Sequence, residues 1–338
     1  MIREGISRLM RREDLGEAGA RSVMTQIMTG GATPVQIAAF LAALATKGET
    51  PEEIAGCALA MRQSAIPVRP LNGELLDTCG TGGDGRHTFN ISTTAALVAA
   101  GAGVKVAKHG NRSISSACGS ADVLTALGVR IDLAPDKVAN CVDTVGIGFL
   151  FAPALHPAMK HAMAVRRELA VRTVFNILGP LTNPAGVTLQ VLGVFEPRLT
   201  EILALVLRSL GTRAAYVVHG ADGLDELSTT GPNRVTELRE SRVRTFTLDA
   251  QELGLPLCRL QDLQGGDAAR NAAITRAVLS GERGPHRDIV LLNAAAALVI
   301  SGQAQTMEDG LLLAARTIDS QRGLDVLNRL VSFTNLEA

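Results

Sequence analysis

A glycine-rich segment, residues 77–85, carries the strongest chemical signal in this 338-residue sequence. It reads Asp-Thr-Cys-Gly-Thr-Gly-Gly-Asp-Gly, follows a predicted strand, and precedes a helix that Ser92, Thr93 and Thr94 open. Backbone N–H groups in such a loop converge on an anion, and the helix N-terminus adds a favourable dipole. The spacing matches neither a Walker A loop nor a dinucleotide fingerprint. Asp84 indicates a second partner, a metal or sugar hydroxyls; a tight turn that needs glycine is the alternative.

A second polar loop, within residues 105–122, also lies between a predicted strand and a helix. Because ligands of open α/β sheets sit at the carboxyl ends of the strands, both loops should face one crevice. Three side chains bring positive charge and four bring hydroxyl donors: Lys108, His109, Arg112, Ser113, Ser115, Ser116 and Ser120. This chemistry suits a polyphosphate. A polar surface loop without a ligand is the weaker alternative.

An acidic loop follows a third predicted strand. Asp225 and Glu226 are adjacent in it, and Asp222 is close by. Mg²⁺ prefers a few carboxylates together with phosphate oxygens and water. Such a run alone is more typical of a solvated turn, but beside two phosphate-type loops we favour a Mg²⁺ site.

His156 and Arg166 lie about three helical turns apart if Pro157 begins a helix. Arg167 and Arg172 follow, and surface arginines on an amphipathic helix are the alternative, which we accept for Arg167. Residues 176–184 predict a helix end and a turn without chemistry of their own. The sequence lacks the motifs of serine hydrolases and zinc proteases, so a reaction governed by positioning and electrostatics fits better.

The elements that must position these loops fall into two parts. Residues 1–65 predict helices only, with capping boxes at Thr33 and Thr50, and residues 67–73 resemble a linker. Short apolar strands then alternate with helices, which predicts a mainly parallel sheet covered by helices. The predicted strands are Leu75–Thr78, Val104–Ala107, Ile147–Phe151, Val187–Val194 and Ala214–His219, and the predicted helices are Ser92–Ala102, Ser120–Leu127, Pro135–Val145, Pro157–Leu169 and Leu199–Leu210. We expect extra strands between 235 and 260 and helices from 268 to 335.

Composition excludes several classes of protein. Lys+Arg and Asp+Glu both number 33, and aromatic residues make up only 3%, which disfavours a nucleic-acid binder. The most apolar windows, Ala95–Val104 and Ile289–Ile300, are shorter than the ~20 residues that span a bilayer. The five cysteines are widely spaced and no signal peptide is apparent. We therefore expect a cytoplasmic protein with reduced cysteines and neither nucleic-acid nor membrane partners.

Together, the loops resemble those of the anthranilate phosphoribosyltransferases. The resemblance rests on the order, spacing and strand–loop–helix context of residues 80–84, 90–93, 108–113, 119–122, 176–184 and 225–226, and it covers nearly the whole chain. Ala117 departs from the lysine that members often carry, which puts one contact near the phosphates in doubt. Residues 320–322 also differ from the small, glycine-containing turn expected there.

The resemblance implies an α/β fold of the nucleoside phosphorylase/phosphoribosyltransferase type. It implies a small N-terminal helical domain, residues 1–70, joined by later helices near 165–185, and a larger α/β domain, residues 74–335, with a mainly parallel sheet. The active site would lie at the hinge, and a homodimer would form through the helical domains. The reaction implied is transfer of the 5-phosphoribosyl group from phosphoribosyl pyrophosphate (PRPP) to the amine of anthranilate, the second step of tryptophan synthesis from chorismate.

The resemblance also implies roles for individual residues. PRPP would be held by Gly80, Gly83, Asp84, Thr88, Asn90, Ile91, Ser92, Thr93, Lys108, His109, Gly110, Asn111, Arg112, Ser113, Ser115, Ser116 and Ser120. Mg²⁺ would be held by Ser92, Asp225 and Glu226, and anthranilate by Gly80, Asn111, His156 and Arg166. Lys108 would act in catalysis by stabilising the leaving pyrophosphate, and His109 is the candidate for a general base.

Two alternatives stay open at this stage. One is a pyrimidine-nucleoside phosphorylase, which shares the fold and transfers a ribosyl or deoxyribosyl group to phosphate. The run Lys108–Ser113 and the acidic pair favour the pyrophosphate substrate over it. The other is a relative that binds nucleic acid without catalysis, which the balanced charge and scarce aromatic residues oppose.

Overall fold

The computed structural model describes residues 1–71, 73–113 and 117–336. Ser115 and Ser116, two of the predicted PRPP-binding residues, lie outside these ranges, so nothing is said of their placement.

The N-terminal part consists of helices, as predicted. The helices are α1 (Ile2–Met10), α2 (Gly16–Met28), α3 (Pro34–Lys47) and α4 (Pro51–Ser64). Both predicted capping boxes are present, because Thr33 pairs with Gln36 and Thr50 pairs with Glu53 at the starts of α3 and α4. The Glu53 carboxylate is fully buried and also accepts a hydrogen bond from Lys47 Nζ at 2.9 Å. Local sequence signals therefore fix where these helices begin.

Within the described ranges, seven strands form one sheet. They are β1 (Leu76–Gly80), β2 (Val106–Gly110), β3 (Ile147–Phe151), β4 (Leu189–Gly193), β5 (Ala214–His219), β6 (Asn233–Arg239) and β7 (Arg242–Leu248), in the order β3-β2-β1-β4-β5-β6-β7. The first five are parallel, and β6 and β7 add an antiparallel edge. The mainly parallel sheet and the extra strands after residue 233 agree with the sequence analysis.

Three of the five predicted strands have different bounds, and the difference matters for the site. β1 and β2 each run two or more residues further towards the loops than predicted. Cys79 and Gly80 stay in the ladder with β4, and residues 108–110 stay in the ladder with β3. Glycine and polar residues usually end a strand, but here the neighbouring strands supply the hydrogen bonds that hold them extended.

The helices that follow the linker are α5 (Ile91–Gly101), α6 (Ser120–Ala126), α7 (Pro135–Val145), α8 (Ala152–Leu155), α9 (Lys160–Leu169), α10 (Phe175–Leu178), α11 (Leu199–Ser209), α12 (Ala268–Leu279), α13 (Pro285–Ile300), α14 (Met307–Asp319) and α15 (Arg322–Leu336). The helix predicted from Pro157 begins instead with a 3₁₀ turn at Pro157–Met159. The helical C-terminal region is as predicted.

Both faces of the sheet are covered. Successive strand residues point to opposite sides, so Val191 joins a core with α5 and α12–α15, whereas Leu192 joins a core with α1–α4, α9 and α11. Tyr216 and Val217 divide in the same way. Burial on both faces explains why β3 and β5 are nearly continuous apolar runs. Nothing among the described helices is both long enough and apolar enough to cross a bilayer.

Two later helices pack with the N-terminal bundle. Ala162 and Val165 of α9 and Phe175 of α10 lie in the same apolar cluster as the buried residues of α1–α4. The chain therefore returns from the sheet to the bundle between residues 160 and 178. This segment contains Arg166 and Arg172.

Candidate active site

The loops that follow β1, β2 and β5 meet at the carboxyl edge of the sheet. Residues 81–90 lead from β1 to α5, and three glycines in this loop, Gly82, Gly83 and Gly85, have φ between +67° and +77°. Side chains with a Cβ rarely adopt this conformation. The glycine content is thus required by the backbone, and the loop ends at the N-terminus of α5.

The acidic loop after β5 packs directly against the glycine loop. Gly82 N donates to Asp225 Oδ2 at 2.7 Å, and Ser92 N donates to Glu226 Oε1 at 3.2 Å. A Cβ on Gly80 would collide with the Asp225 carboxylate, and one on Gly193 would collide with the Asp225 backbone. Strands β1 and β4 therefore need glycine at both positions so that the acidic loop can approach.

Asn293 of α13 forms hydrogen bonds with the end of the acidic loop. Its buried amide accepts from Leu227 N at 3.1 Å and donates to Leu227 O at 2.7 Å. Leu227 directly follows Glu226, so these two hydrogen bonds fix the N–H and the carbonyl of the residue next to the acidic pair. Asn293, which interrupts the apolar window Ile289–Ile300, is thus a positioning residue for the Asp225 and Glu226 carboxylates.

The two adjacent carboxylates have pKa values raised above the ordinary range. For Asp225 the main cause is burial, followed by the nearby charge of Asp84; for Glu226 it is burial, followed by the charge of Asp225. Two carboxylates this close together favour a proton or a cation between them. The described residues contain no group of three metal-ligating acidic, histidine or cysteine side chains. The two adjacent carboxylates fit Mg²⁺, which takes few protein ligands and completes its shell with phosphate and water.

Lys108 lies at the end of β2 with its side chain inside the protein. The residue is 2% exposed, and Nζ donates to the Thr78 carbonyl oxygen. Burial raises the pKa of the fully buried Asp77, and the charge of Lys108 acts against that shift. The charge of Lys108 also acts against the raised pKa of Glu226. The Lys108 ammonium group therefore lies beside β1, two residues before the strand ends at Gly80.

Asp77 and Asn183 fix the end of β2. Asp77 Oδ1 accepts from His109 N at 3.2 Å, and Asp77 Oδ2 accepts from Asn183 Nδ2 at 2.8 Å. Asn183 Nδ2 also donates to the Ala107 carbonyl at 2.8 Å. The sequence analysis assigned residues 176–184 to a turn without chemistry and did not predict this role of Asn183. Its side-chain amide contacts Ala107 and Asp77, which lie 76 and 106 residues away in the sequence.

His109 and His156 form a buried pair of neutral imidazoles. Their ring centroids are 5.1 Å apart, and each residue is 7% exposed. Burial lowers the pKa of His109 to about 3 and that of His156 to about 4; the neighbouring His156 adds to the shift at His109, and a hydrogen bond to the Gly179 carbonyl opposes it. Both Nε2 atoms are buried without a partner in the described structure. Such atoms need a ligand or water to satisfy them.

We expect the protein to lose stability as pH falls from about 6.5 to about 4. Because both folded-state pKa values lie below the ordinary 6.5, the unfolded chain binds protons first. Each histidine therefore contributes stability that is complete above pH 6.5 and falls by up to ~1.4 kcal/mol per pH unit below it. Urea unfolding at pH 7 and pH 5 measures this loss, which should shrink by about 1–2 kcal/mol in His156→Gln. Equal losses in both proteins would contradict the expectation.

Arg166, on the last turn of α9, is half-buried. Its guanidinium carbon stands 5.1 Å from the centre of the Phe175 ring, and burial lowers its pKa. Within residues 1–71, 73–113 and 117–336, no carboxylate pairs with it. A guanidinium stacked on a ring and left without a carboxylate is suited to bind one from a ligand.

The loop after β2 is tied down by Asp122. This carboxylate accepts from Gly119 N at 2.9 Å and Ser113 N at 3.1 Å, and pairs with Arg112 at 2.8 Å. Arg112 is largely exposed and lines a surface cavity of about 450 Å³ between α6, β3 and α15. Its guanidinium is therefore engaged on the outer side of the loop in this structure.

The remaining predicted residues differ in their surroundings. Gly110 lies against Ser120 Oγ and the Phe149 ring, and Asn111 is exposed. Asp84 accepts from Arg86 N at 3.2 Å, and Thr88 forms an isolated bridge with Gln264.

Three neighbouring residues open α5. Asn90 accepts from Asn271 Nδ2 at 2.9 Å, Thr93 Oγ1 is a buried atom without a partner in the described chain, and the Ile91 side chain is fully buried in the core. The Ile91 side chain is therefore not available to a ligand, and its backbone N–H donates to the Phe89 carbonyl at 2.8 Å.

Comparisons with known proteins agree with this fold. Two family models match: a glycosyl transferase helical bundle domain over residues 3–65 and a glycosyl transferase a/b domain over residues 72–323. An anthranilate phosphoribosyltransferase from Moorella thermoacetica is 56% identical over 98% of each chain. The chain belongs to the anthranilate phosphoribosyltransferase family.

Solved structures of this family have the same fold. The crystal structure of the anthranilate phosphoribosyltransferase from Thermus thermophilus superposes with a TM-score of 0.94 at 45% identity, covering 98% of this chain and 99% of the other. The enzyme from Saccharomyces cerevisiae, in complex with PRPP and Mg, superposes with a TM-score of 0.90 at 28% identity, covering 99% and 98%. The helical bundle and the mainly parallel sheet are thus confirmed as the architecture of this anthranilate phosphoribosyltransferase family member.

Proposed function

We propose that the protein transfers the 5-phosphoribosyl group of PRPP to the amine of anthranilate, giving N-(5-phosphoribosyl)anthranilate and pyrophosphate. The observation that carries this is the meeting of a glycine loop, an acidic pair and the buried Lys108 at one edge of the sheet. The bond from ribose C1 to the pyrophosphate oxygen breaks, a bond from C1 to the amine nitrogen forms, and the amine loses a proton. This reaction is the second step of tryptophan synthesis from chorismate.

The phosphate side of the site consists of the two loops after β1 and β2. The backbone N–H groups of Gly83, Asp84 and Gly85 would meet the phosphates, and Thr93 Oγ1 offers a buried hydroxyl without a partner in the described structure. Lys108 would stabilise the charge that develops on the leaving pyrophosphate. Predicted contacts from Gly80, Gly83, Asp84, Thr88, Asn90, Ile91, Ser92, His109, Gly110, Asn111, Arg112, Ser113 and Ser120 belong to this proposal.

The acidic pair would hold Mg²⁺ together with Ser92. When bound, the ion would neutralise pyrophosphate oxygens and help that group to leave. Asp225 and Glu226 are kept in place by Gly82 N and Ser92 N, so their free oxygens are directed without rearrangement. The raised pKa values of both carboxylates support a cation partner.

The anthranilate side would lie between the β2 loop and α9. Arg166 would pair with the anthranilate carboxylate, and His156, Asn111 and Gly80 would complete the contacts. A neutral His109 offers a lone pair at Nε2 to the amine, which becomes acidic once it has attacked C1. The low pKa of His109 makes it a weak base, so positioning the amine near C1 supplies more of the rate than proton removal does.

Replacing Arg166 with Ala should raise the KM for anthranilate by at least about 30-fold, because one charge-assisted pair contributes roughly 2 kcal/mol or more. The KM for PRPP should change by less than about threefold. Steady-state kinetics with each substrate varied in turn measure both values, with Arg167→Ala as the matched control on the same helix. Equal increases for the two substrates would exclude this role.

The domain division and the assembly also belong to the proposal. A helical domain of residues 1–70 with the later helices near 165–185, and an α/β domain of residues 74–335, are supported by the two family models and by the shared apolar cluster of α1–α4 and α9. We propose a cytoplasmic homodimer that pairs through the helical domains. Sedimentation with and without charged substitutions on α1 and α3 tests the pairing.

Loss of anthranilate fluorescence tests the proposed function directly. The decrease should require the protein, PRPP and Mg²⁺ together, and it should produce pyrophosphate in a one-to-one ratio. No decrease with folded protein would reject the proposal. Pyrimidine nucleosides with phosphate would then be the substrates to test.

A further inference from the structure

Arg172 joins the segment that carries Arg166 to the glycine loop. Helix α9 ends at Leu169, and Ala170 follows in the left-handed conformation with φ of +48°. This turn brings the chain back towards the sheet edge. There, Arg172 Nη2 donates to the Gly83 carbonyl at 2.7 Å.

Two further contacts hold the guanidinium in place. Its central carbon lies 4.0 Å from the centre of the Phe195 ring, and Nη1 lies 3.7 Å from a Glu196 carboxylate oxygen. Phe195 N in turn donates to Thr81 Oγ1 at 3.2 Å. Because the Arg172 side chain is about half exposed, one hydrogen bond alone would order it little; a stack, an ion pair and a hydrogen bond on different atoms restrict it more.

The glycine loop needs such a contact. Gly82, Gly83 and Gly85 have the greatest conformational freedom of any residue type, and ordering them costs entropy. Asp225 of the acidic loop binds the Gly82 N–H, whereas Arg172 binds the carbonyl of the following residue, Gly83. The two contacts come from different segments of the chain, so the loop conformation depends on both.

The other end of the Arg172 segment is anchored in the helical bundle. Ala162 and Val165 of α9 pack among α1–α4, and Arg166 and Phe175, whose side chains stack on each other, flank Arg172 in the sequence. A shift of this segment therefore moves the Arg166 guanidinium and the Arg172–Gly83 hydrogen bond together.

We propose that Arg172 is a positioning residue that couples the two substrate sites, so that ordering of the glycine loop by a diphosphate strengthens anthranilate binding, and the reverse. This inference rests on the proposed function. By linkage, the factor by which one ligand strengthens the other is the same in both directions. Without the Arg172–Gly83 hydrogen bond, each site keeps the residues that bind its own substrate. The fraction of protein in which both substrate sites are formed at once is then lower.

Anthranilate binding with and without Mg²⁺–pyrophosphate tests the coupling. Anthranilate fluorescence gives its Kd in each case, and pyrophosphate allows no turnover. In the parent protein, Mg²⁺–pyrophosphate should tighten anthranilate at least about fivefold, and in Arg172→Gln the factor should fall to about one. Arg198→Gln is the matched control, since Arg198 also pairs with Glu196, at 2.6 Å, without contact to the loop; its factor should equal that of the parent.

Two further measurements separate positioning from structure. Arg172→Lys keeps the charge and one donor, so it should recover part of the coupling. In turnover, Arg172→Gln should raise the KM for PRPP about 10-fold, with a thermal midpoint within about 2 °C of the parent because the side chain is half exposed. Absence of coupling in the parent, or equal coupling in Arg172→Gln and Arg198→Gln, would overturn the inference. A parent protein without transferase activity would instead reject the proposed function.

Discussion

Substituting Asn for Asp225 and Gln for Glu226 in one protein should lower kcat by about 10³-fold or more and remove the dependence of the rate on Mg²⁺. Both substitutions keep the side-chain size, so the packing against Gly80 and Gly193 stays. They remove the two negative charges that hold a divalent cation. The rate measured over a range of Mg²⁺ concentrations tests this.

Asp222→Asn is the matched control for the acidic pair. Asp222 lies in the same loop, is exposed, and has φ of +58°, a conformation that asparagine accepts. Its loss changes the local charge without touching Gly82 or Ser92, so kcat should stay within about twofold. If Mg²⁺ dependence persists in the double variant, Asp225 and Glu226 do not hold the metal.

The acidic loop shows what sequence reasoning predicts and what it leaves out. The types and spacing of Asp225 and Glu226, beside two phosphate-type loops, predict a metal site. The need for glycine at residue 193 has no signal in the sequence, because it arises from the close approach of the Asp225 backbone to β4. Likewise, Asn293 is visible in the sequence only as an interruption of an apolar run, and its two hydrogen bonds to Leu227 require the packed helix.

The histidines illustrate a different limit. Their presence at residues 109 and 156 suggests acid–base chemistry, since histidine ordinarily titrates near neutral pH. Burial against each other lowers both pKa values well below that range. The sequence predicts which groups meet the ligand, but the protonation of these groups depends on the solvent that the fold removes.

Strand limits and the Asp77–Asn183 contact have a common cause. The sequence predicts strands that end at Thr78 and Ala107, before Cys79 and Gly80 of β1 and before Lys108–Gly110 of β2. Ladder pairing with β4 and β3 extends them, and this brings Asp77, His109 and Asn183 together. Long-range pairing carries no local signal, whereas a capping box such as Thr33–Gln36 does, and the sequence predicts it to the residue.

Replacing Lys108 with Met should lower kcat by about 100-fold or more and also destabilise the protein by about 3 kcal/mol. The first effect is loss of the positive charge that stabilises the leaving pyrophosphate. The second arises because the Asp77 carboxylate, fully buried, loses its counter-charge. Steady-state kinetics and urea unfolding followed by circular dichroism measure the two effects.

A second substitution separates these effects. In Lys108→Met with Asp77→Asn both buried charges are gone, and the amide oxygen of the new side chain still accepts one of the two hydrogen bonds from His109 N and Asn183 Nδ2. Because removing a whole buried pair costs far less than removing one partner, at least half of the lost stability should return. Activity should not return, since the stabilising charge is still absent. Recovery of kcat together with stability would mean that Lys108 acts only by supporting the fold; stability without activity assigns its charge to the reaction.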